Sequence, residues 1–170
     1  ALKGRYGLAN VQVAQERRFQ ALTDPRWTDA MVFLLQKRGV VWFRWHDSGD
    51  LQGNWHLRQI VEIARRCPTT RFWLPTREKQ LVANYLRSGD AIPSNLVVRL
   101  SAAMVDGLPP ADWEHTSTVE SRGYRASSKA ENGAAQDRNG TCPAPEQGGK
   151  CQDCRACWDP TVKNVAYLRH

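Results

Sequence analysis

"TRFWLPTREKQLVANYLRSGDAIPSNLVVRLSAAM", Thr70 to Met104, changes its periodicity twice, and those changes decide the fold. The opening "TRFWLP" is short, aromatic and apolar, the composition of a strand. "TREKQLVANYLRSG" spaces its apolar residues at helical intervals, with Thr76 expected as N-cap and Gly89 near the end. "NLVVRLSAAM" is β-branched again. A strand, a helix and a strand in immediate succession predict a right-handed crossover and parallel pairing.

The same alternation extends in both directions. "GVVWFRWHD", Gly39 to Asp47, predicts a buried strand of five or six residues. "GNWHLRQIVEIARRCP" places Leu57, Ile60, Val61, Ala64 and Cys67 on one helical stripe, which Pro68 ends. Cys67 is therefore expected in the core as a small hydrophobe rather than as a ligand. Further helices are expected over Ala9–Ala21 and Thr28–Arg38, separated by the Asp24-Pro25 turn. A short strand is expected at "HTSTVES" and a closing one at "NVAYLRH". The expected class is α/β: parallel-sheet βαβ repeats forming an open or partial barrel, with an irregular Cys-rich C-terminal segment.

A chain of 170 residues fits one domain. Within it, residues 1–121 read as the α/β core. Residues 122–170 read as a flexible connection, rich in Gly, Ser, Ala, Asn and Gln up to Gly149, and a Cys-rich segment packed on that core. No apolar run approaches the roughly 20 residues of a membrane-spanning helix. No basic, apolar and small-residue pattern appears at the start, so secretion is not expected, and the chain as given begins at Ala1 rather than Met. Net charge is +7, and residues 1–99 carry all of the excess, with 16 Lys/Arg against 8 Asp/Glu, while residues 100–170 carry 8 against 9. Such a face either is plain solvated surface or makes weak contact with nucleic acid or another polyanion. No recognition-helix motif, RNA-binding signature or zinc finger accompanies it.

Four of the five cysteines fall in "TCPAPEQGGKCQDCRACWD", at the spacing C-x8-C-x2-C-x2-C. Adjacent C-x2-C steps argue against a disulfide framework. A structural zinc ion could take four thiolates, but such sites usually use two separated C-x2-C knuckles. Three cysteines at three-residue intervals on one loop resemble the bacterial ferredoxin run, which reaches successive irons of a cubane. The expectation is an iron–sulfur centre, most simply [4Fe–4S], held by Cys142, Cys151, Cys154 and Cys157, with zinc as the alternative. Pro143 and Pro145 stiffen the approach, Gly148 and Gly149 permit tight turns, and Lys150 and Arg155 would offset the negative charge.

A second constellation, "FRWHDSGD", sits at the expected C-terminal end of the first strand. Strand alternation sends Val41, Phe43 and Trp45 one way and Trp42, Arg44 and His46 the other. Arg99 and Ser101 repeat a polar face on the third strand, and Thr76 and Arg77 follow the second. Functional groups in α/β proteins gather at strand carboxyl ends, so Arg44, His46, Asp47 and Asp50 could line a pocket. There Arg44 would hold an anion, His46 would carry a proton or a metal, and either aspartate would orient them. The alternative is structural, with Asp47-Ser48-Gly49 as a turn, Asp50 as a helix N-cap and Arg44 paired with a carboxylate.

"ALKGRYGLANVQ", "FRWHDSGDL", "TTRFWLPTR" and the C-terminal cysteine run together resemble the phage gene product 88 family over most of the chain. The "RWHDSGD" element is the most specific part. Members of that family usually carry further cysteines, ending in a Cys-Tyr-Ala-like step just before a Lys-Gly-x-Tyr element. Here Lys3-Gly4-Arg5-Tyr6 follows directly on Ala1-Leu2. The family is distantly similar to radical-SAM-type partial barrels, although their C-x3-C-x2-C triad is absent. The resemblance implies a phage-encoded iron–sulfur protein in the cytoplasm of the infected host cell, and supplies no reaction. Two readings follow: a binding protein whose cluster serves electron transfer, sensing or structure, or an enzyme with a pocket at the strand ends.

Overall fold

Phe72 pairs with Leu96, Leu74 with Val98 and Thr76 with Leu100, all in parallel register. The two strands of the Thr70–Met104 stretch are thus neighbours, and the helix between them is their crossover. The computed structural model describes residues 7–46, 49–121 and 141–169. Its elements are α1 (Ala9–Ala21), α2 (Trp27–Lys37), β1 (Trp42–Arg44), α3 (Asn54–Arg66), β2 (Arg71–Thr76), α4 (Lys79–Arg87), β3 (Leu96–Ser101), β4 (Thr116–Glu120) and β5 (Asn164–Leu168). The strands lie side by side in sequence order, all parallel, and curl into a half-barrel.

The sheet divides its side chains as alternation requires. Phe43, Phe72, Leu74, Leu96, Val98 and Leu100 face the helices and pack with Val32 and Leu35 of α2, the apolar stripe of α3, and Val82 and Tyr85 of α4. The opposite, inner face carries Trp73, which packs with Cys157 and Val165 in a second, smaller cluster. The C-terminal segment covers that inner face in place of further helices. Between β3 and β4 the chain crosses without a helix.

Three local expectations need correction. β1 has three residues rather than five or six, and it is an edge strand, with Trp42 41% exposed. With only β2 as a neighbour, its apolar composition reflects aromatic packing rather than full burial. Thr76 ends β2, and the N-cap of α4 is Glu78, whose N–H donates to the Thr76 hydroxyl at 3.0 Å. Asp50 does not cap α3, because Gly53 occupies that position. Most of the connection expected after residue 121 lies at 122–140, outside the described residues.

Cys67 is the C-cap of α3 and is 2% exposed within the helix-side core. Burial pushes its thiol above the usual value, so it stays neutral. Asn95 locks this corner, donating to the carbonyls of Ala64, Cys67 and Thr70 at 2.9, 3.1 and 3.0 Å. Replacing Cys67 with Ala is expected to cost about 1 kcal/mol in chemical denaturation, as a small core truncation does, and to leave any bound metal untouched.

Candidate functional site

Arg99 projects from the inner face of β3 and is fully buried. Its guanidinium donates from Nε to the carbonyl of Cys157 (2.9 Å), from Nη2 to those of Ala156 (2.9 Å) and Asp159 (2.8 Å), and from Nη1 to that of Val162 (2.8 Å). Among the described residues no carboxylate forms a salt bridge with it. A planar fork with five N–H donors is the one side chain able to gather so many carbonyls at once. It fixes the backbone that presents the last cysteine.

The other cysteines are tied to the same place. Thr141 bridges Ala166, and the Cys142 N–H donates to the Ala166 carbonyl at 2.8 Å, so this segment extends the sheet beside β5. A 3-10 turn over Ala144–Gln147 follows, and then Gly148 and Gly149 in left-handed conformation (φ 64 and 77°), where the sequence called for tight turns. The Cys154 N–H donates to the Cys151 carbonyl at 2.9 Å, closing a turn between those two residues. A second 3-10 turn, Ala156–Trp158, carries Cys157 into the inner-face cluster. Arg155 lies over the Trp42 ring at 5.3 Å and donates to the Cys154 carbonyl at 2.7 Å, so it braces the loop.

Around Cys157 the thiols influence one another. Burial pushes its thiol up to about 11; the Tyr167 hydroxyl, 3.2 Å from Sγ, and Arg99 pull it down, and nearby Cys142 and Cys151 add to the rise. Burial, reinforced by Cys157 and Cys142, likewise raises the Tyr167 phenol. Trp73, in the same packed cluster, has a buried Nε1 with no hydrogen-bond partner among the described residues. Cys151 is exposed, Cys142 and Cys154 are half-buried, and Cys157 is buried. Among the described residues, no three His, Cys, Asp or Glu side chains converge as one metal ion would require.

The second constellation separates: Arg44 stands apart, while His46 and Asp50 line one cavity. Arg44 lies on the inner face over the Trp73 ring at 4.9 Å, and among the described residues no carboxylate forms a salt bridge with it. His46 leaves the strand alternation because it is left-handed (φ 58°), and it turns to the helix side beside His56, with ring centroids 5.5 Å apart. Arg44 and His46 therefore do not share a pocket. Asp50 joins two strand ends: its carboxylate accepts the Thr76 hydroxyl, the Arg77 N–H (2.8 Å) and the Leu51 N–H (2.7 Å). Asp47 lies outside the described residues. His56 gave no signal in the sequence beyond its place on the α3 pattern.

His56 is 2% exposed, and burial, with repulsion from His46, lowers its pKa to about 4, only partly opposed by Asp50. The unfolded chain takes up this proton as pH falls through the ordinary value of 6.5, whereas the folded chain waits until about 4. Stability should therefore fall between those values by about 2 kcal/mol. Melting temperature measured from pH 7 to pH 4.5 should show this slope, and His56→Phe should flatten it.

A parallel half-barrel whose inner face is closed by a thiol-bearing loop defines an α/β protein with a cysteine-bearing C-terminal segment. The family profile described as Gene product 88 matches residues 1–160, and the chain belongs to that phage family. No curated protein and no protein of solved structure matches it.

Proposed function

We propose that this phage protein binds an iron–sulfur cluster, most simply [4Fe–4S], through Cys142, Cys151, Cys154 and Cys157. The observation that carries this reading is Arg99, a fully buried cation that forms no salt bridge with a carboxylate among the described residues, placed against the backbone of the cysteine segment. Burying a charge unpaired is expensive, so the site favours an anionic occupant, which a cluster with thiolate ligands is. The surroundings fit the group. Tyr167 offers a hydroxyl to Sγ of Cys157, and Trp73 packs in the same cluster with an N–H that has no partner among the described residues. A hydroxyl donor to ligand sulfur stabilises it. Cys142 and Cys151 lie close enough to Cys157 to raise its thiol electrostatically, which puts three of the four proposed ligands in one neighbourhood.

Such a cluster would supply one-electron chemistry, while the chain itself clamps the loop through Arg99, keeps the inner face apolar through Trp73 and Val165, and leaves Cys151 at the surface. The role we propose is electron transfer, redox sensing or structural support. Protein purified without oxygen should be brown and contain roughly four irons per chain. Colourless protein with one zinc per chain would replace this reading with a structural zinc site.

Contact with nucleic acid through the basic portion is a separate proposal. Arg17, Arg18, Arg65 and Arg66 are all exposed, although Arg66 already pairs with Asp29 at 2.7 Å. Weak binding without sequence preference is expected. Each neutralised phosphate should contribute a slope of roughly −0.9 to log K against log salt on duplex DNA. Reversing these four charges together should abolish binding; a slope near zero would reduce the charge to solubility.

A further inference from the structure

β1 forms one margin of the sheet, and its inner side is a patch of alternating rings and cations. Trp42 and Arg44 of β1 stand in register with Arg71 and Trp73 of β2, so alternation places all four on the inner side. Ring and guanidinium then alternate along each strand and from one strand to the next. Trp73 is buried, but Trp42 is 41% exposed, and Arg44 and Arg71 are exposed beside it. From the cysteine segment, Trp158 meets Trp42 and Trp73 edge-on at 5.9 and 5.3 Å, and Arg155 lies over the Trp42 ring at 5.3 Å. We propose that this margin binds single-stranded nucleic acid.

Charge selects a polyanion. Among the described residues, Arg44, Arg71 and Arg155 form no salt bridge with a carboxylate, so three guanidinium groups share one small surface without a paired counter-charge. Fixed cations placed in this way attract a partner that carries anions at short, regular intervals.

The exposed ring selects the unpaired strand. A duplex keeps its bases stacked on one another and would meet only the arginines, leaving the Trp42 surface in water. An acidic peptide would do the same. Unpaired bases use both features, since each has a π-face that stacks on an indole or on the plane of a guanidinium, whatever its sequence. The platform is also set in advance. Trp158 donates from Nε1 to the Phe43 carbonyl at 3.0 Å and buttresses Trp42, and Arg155 is tied to the Cys154 carbonyl at 2.7 Å, so little freedom is lost on binding. The duplex contact proposed above uses arginines of α1 and α3, on the helix side of the sheet, and neither proposal depends on the other or on the cluster.

Fluorescence anisotropy of a labelled oligothymidylate of about 12 nucleotides, titrated with the whole protein, tests this. Saturable binding is expected, with a Kd between about 1 and 100 μM at physiological salt. Log K against log salt should fall with a slope of roughly −2, at about −0.7 for each of three phosphates. Trp42→Leu keeps an apolar side chain at the margin but removes the ring, and should weaken the binding about tenfold. Arg71→Gln should weaken it too and make the slope shallower by about 0.7, and it stands as the readout if Trp42→Leu unfolds. Unlabelled oligothymidylate should displace the labelled strand better than duplex of the same length or poly-L-glutamate does. The proposal is overturned if the oligothymidylate does not bind saturably, if the folded variants bind it as the parent does, or if the duplex or poly-L-glutamate displaces it equally well.

Discussion

Arg99→Met will cost about 3–5 kcal/mol of folding stability and release the cysteine segment from the sheet. Met fills much of the volume of arginine, so the loss comes from hydrogen bonding and not from a cavity. The carbonyls of Ala156, Cys157, Asp159 and Val162 would all lose the guanidinium that now pairs them inside the protein. Removing one partner from a buried charged network leaves the others desolvated and unpaired, and this is where losses of that size arise. Denaturant midpoints measure the change, and hydrogen exchange over residues 154–162 should rise with it. Arg99→Lys should recover only part of the stability, since a point-like ammonium cannot span the fork. A loss under about 0.5 kcal/mol for the Met variant would mean that the loop is held by its apolar contacts alone.

Much of this arrangement was legible in the sequence because two periodicities do most of the work. The stripe Leu57, Ile60, Val61, Ala64 could only be a helix against an apolar layer, and α3 buries those residues. α1 runs from Ala9 to Ala21, as its apolar spacing indicates. What periodicity cannot carry is where a pattern stops. His46 continues the polar alternation of Trp42 and Arg44 on paper, but its left-handed backbone sends it to the opposite side. Asp50 looks like an N-cap because Asp before a helix usually is one; its partners, Thr76 and Arg77, lie at the end of the next strand and depend on the curl of the sheet. Arg99 was visible as a polar residue on an apolar strand. Its partners are backbone carbonyls more than fifty residues further along the chain, and carbonyls leave no trace in a sequence.

Cys157→Ser should lower the iron of anaerobically reconstituted protein from roughly four per chain to well below one while leaving the iron-free fold intact. Serine occupies nearly the same space, and its hydroxyl can keep the hydrogen bond that Sγ now shares with Tyr167 at 3.2 Å. Arg99 would still hold the backbone carbonyl of residue 157, because that contact does not involve the side chain. What is lost is a soft thiolate, the donor that iron–sulfur clusters select. The position makes the loss severe: Cys157 is buried, so water cannot readily supply a substitute ligand, whereas at exposed Cys151 it could, and Cys151→Ser should retain more iron. Cys67→Ser supplies the contrast, since Cys67 sits in the helix-side core and its variant should keep full iron. Equal iron in the Cys157 and Cys67 variants, with both folded, would remove Cys157 from the ligand set and with it the link between the buried guanidinium and a bound cluster.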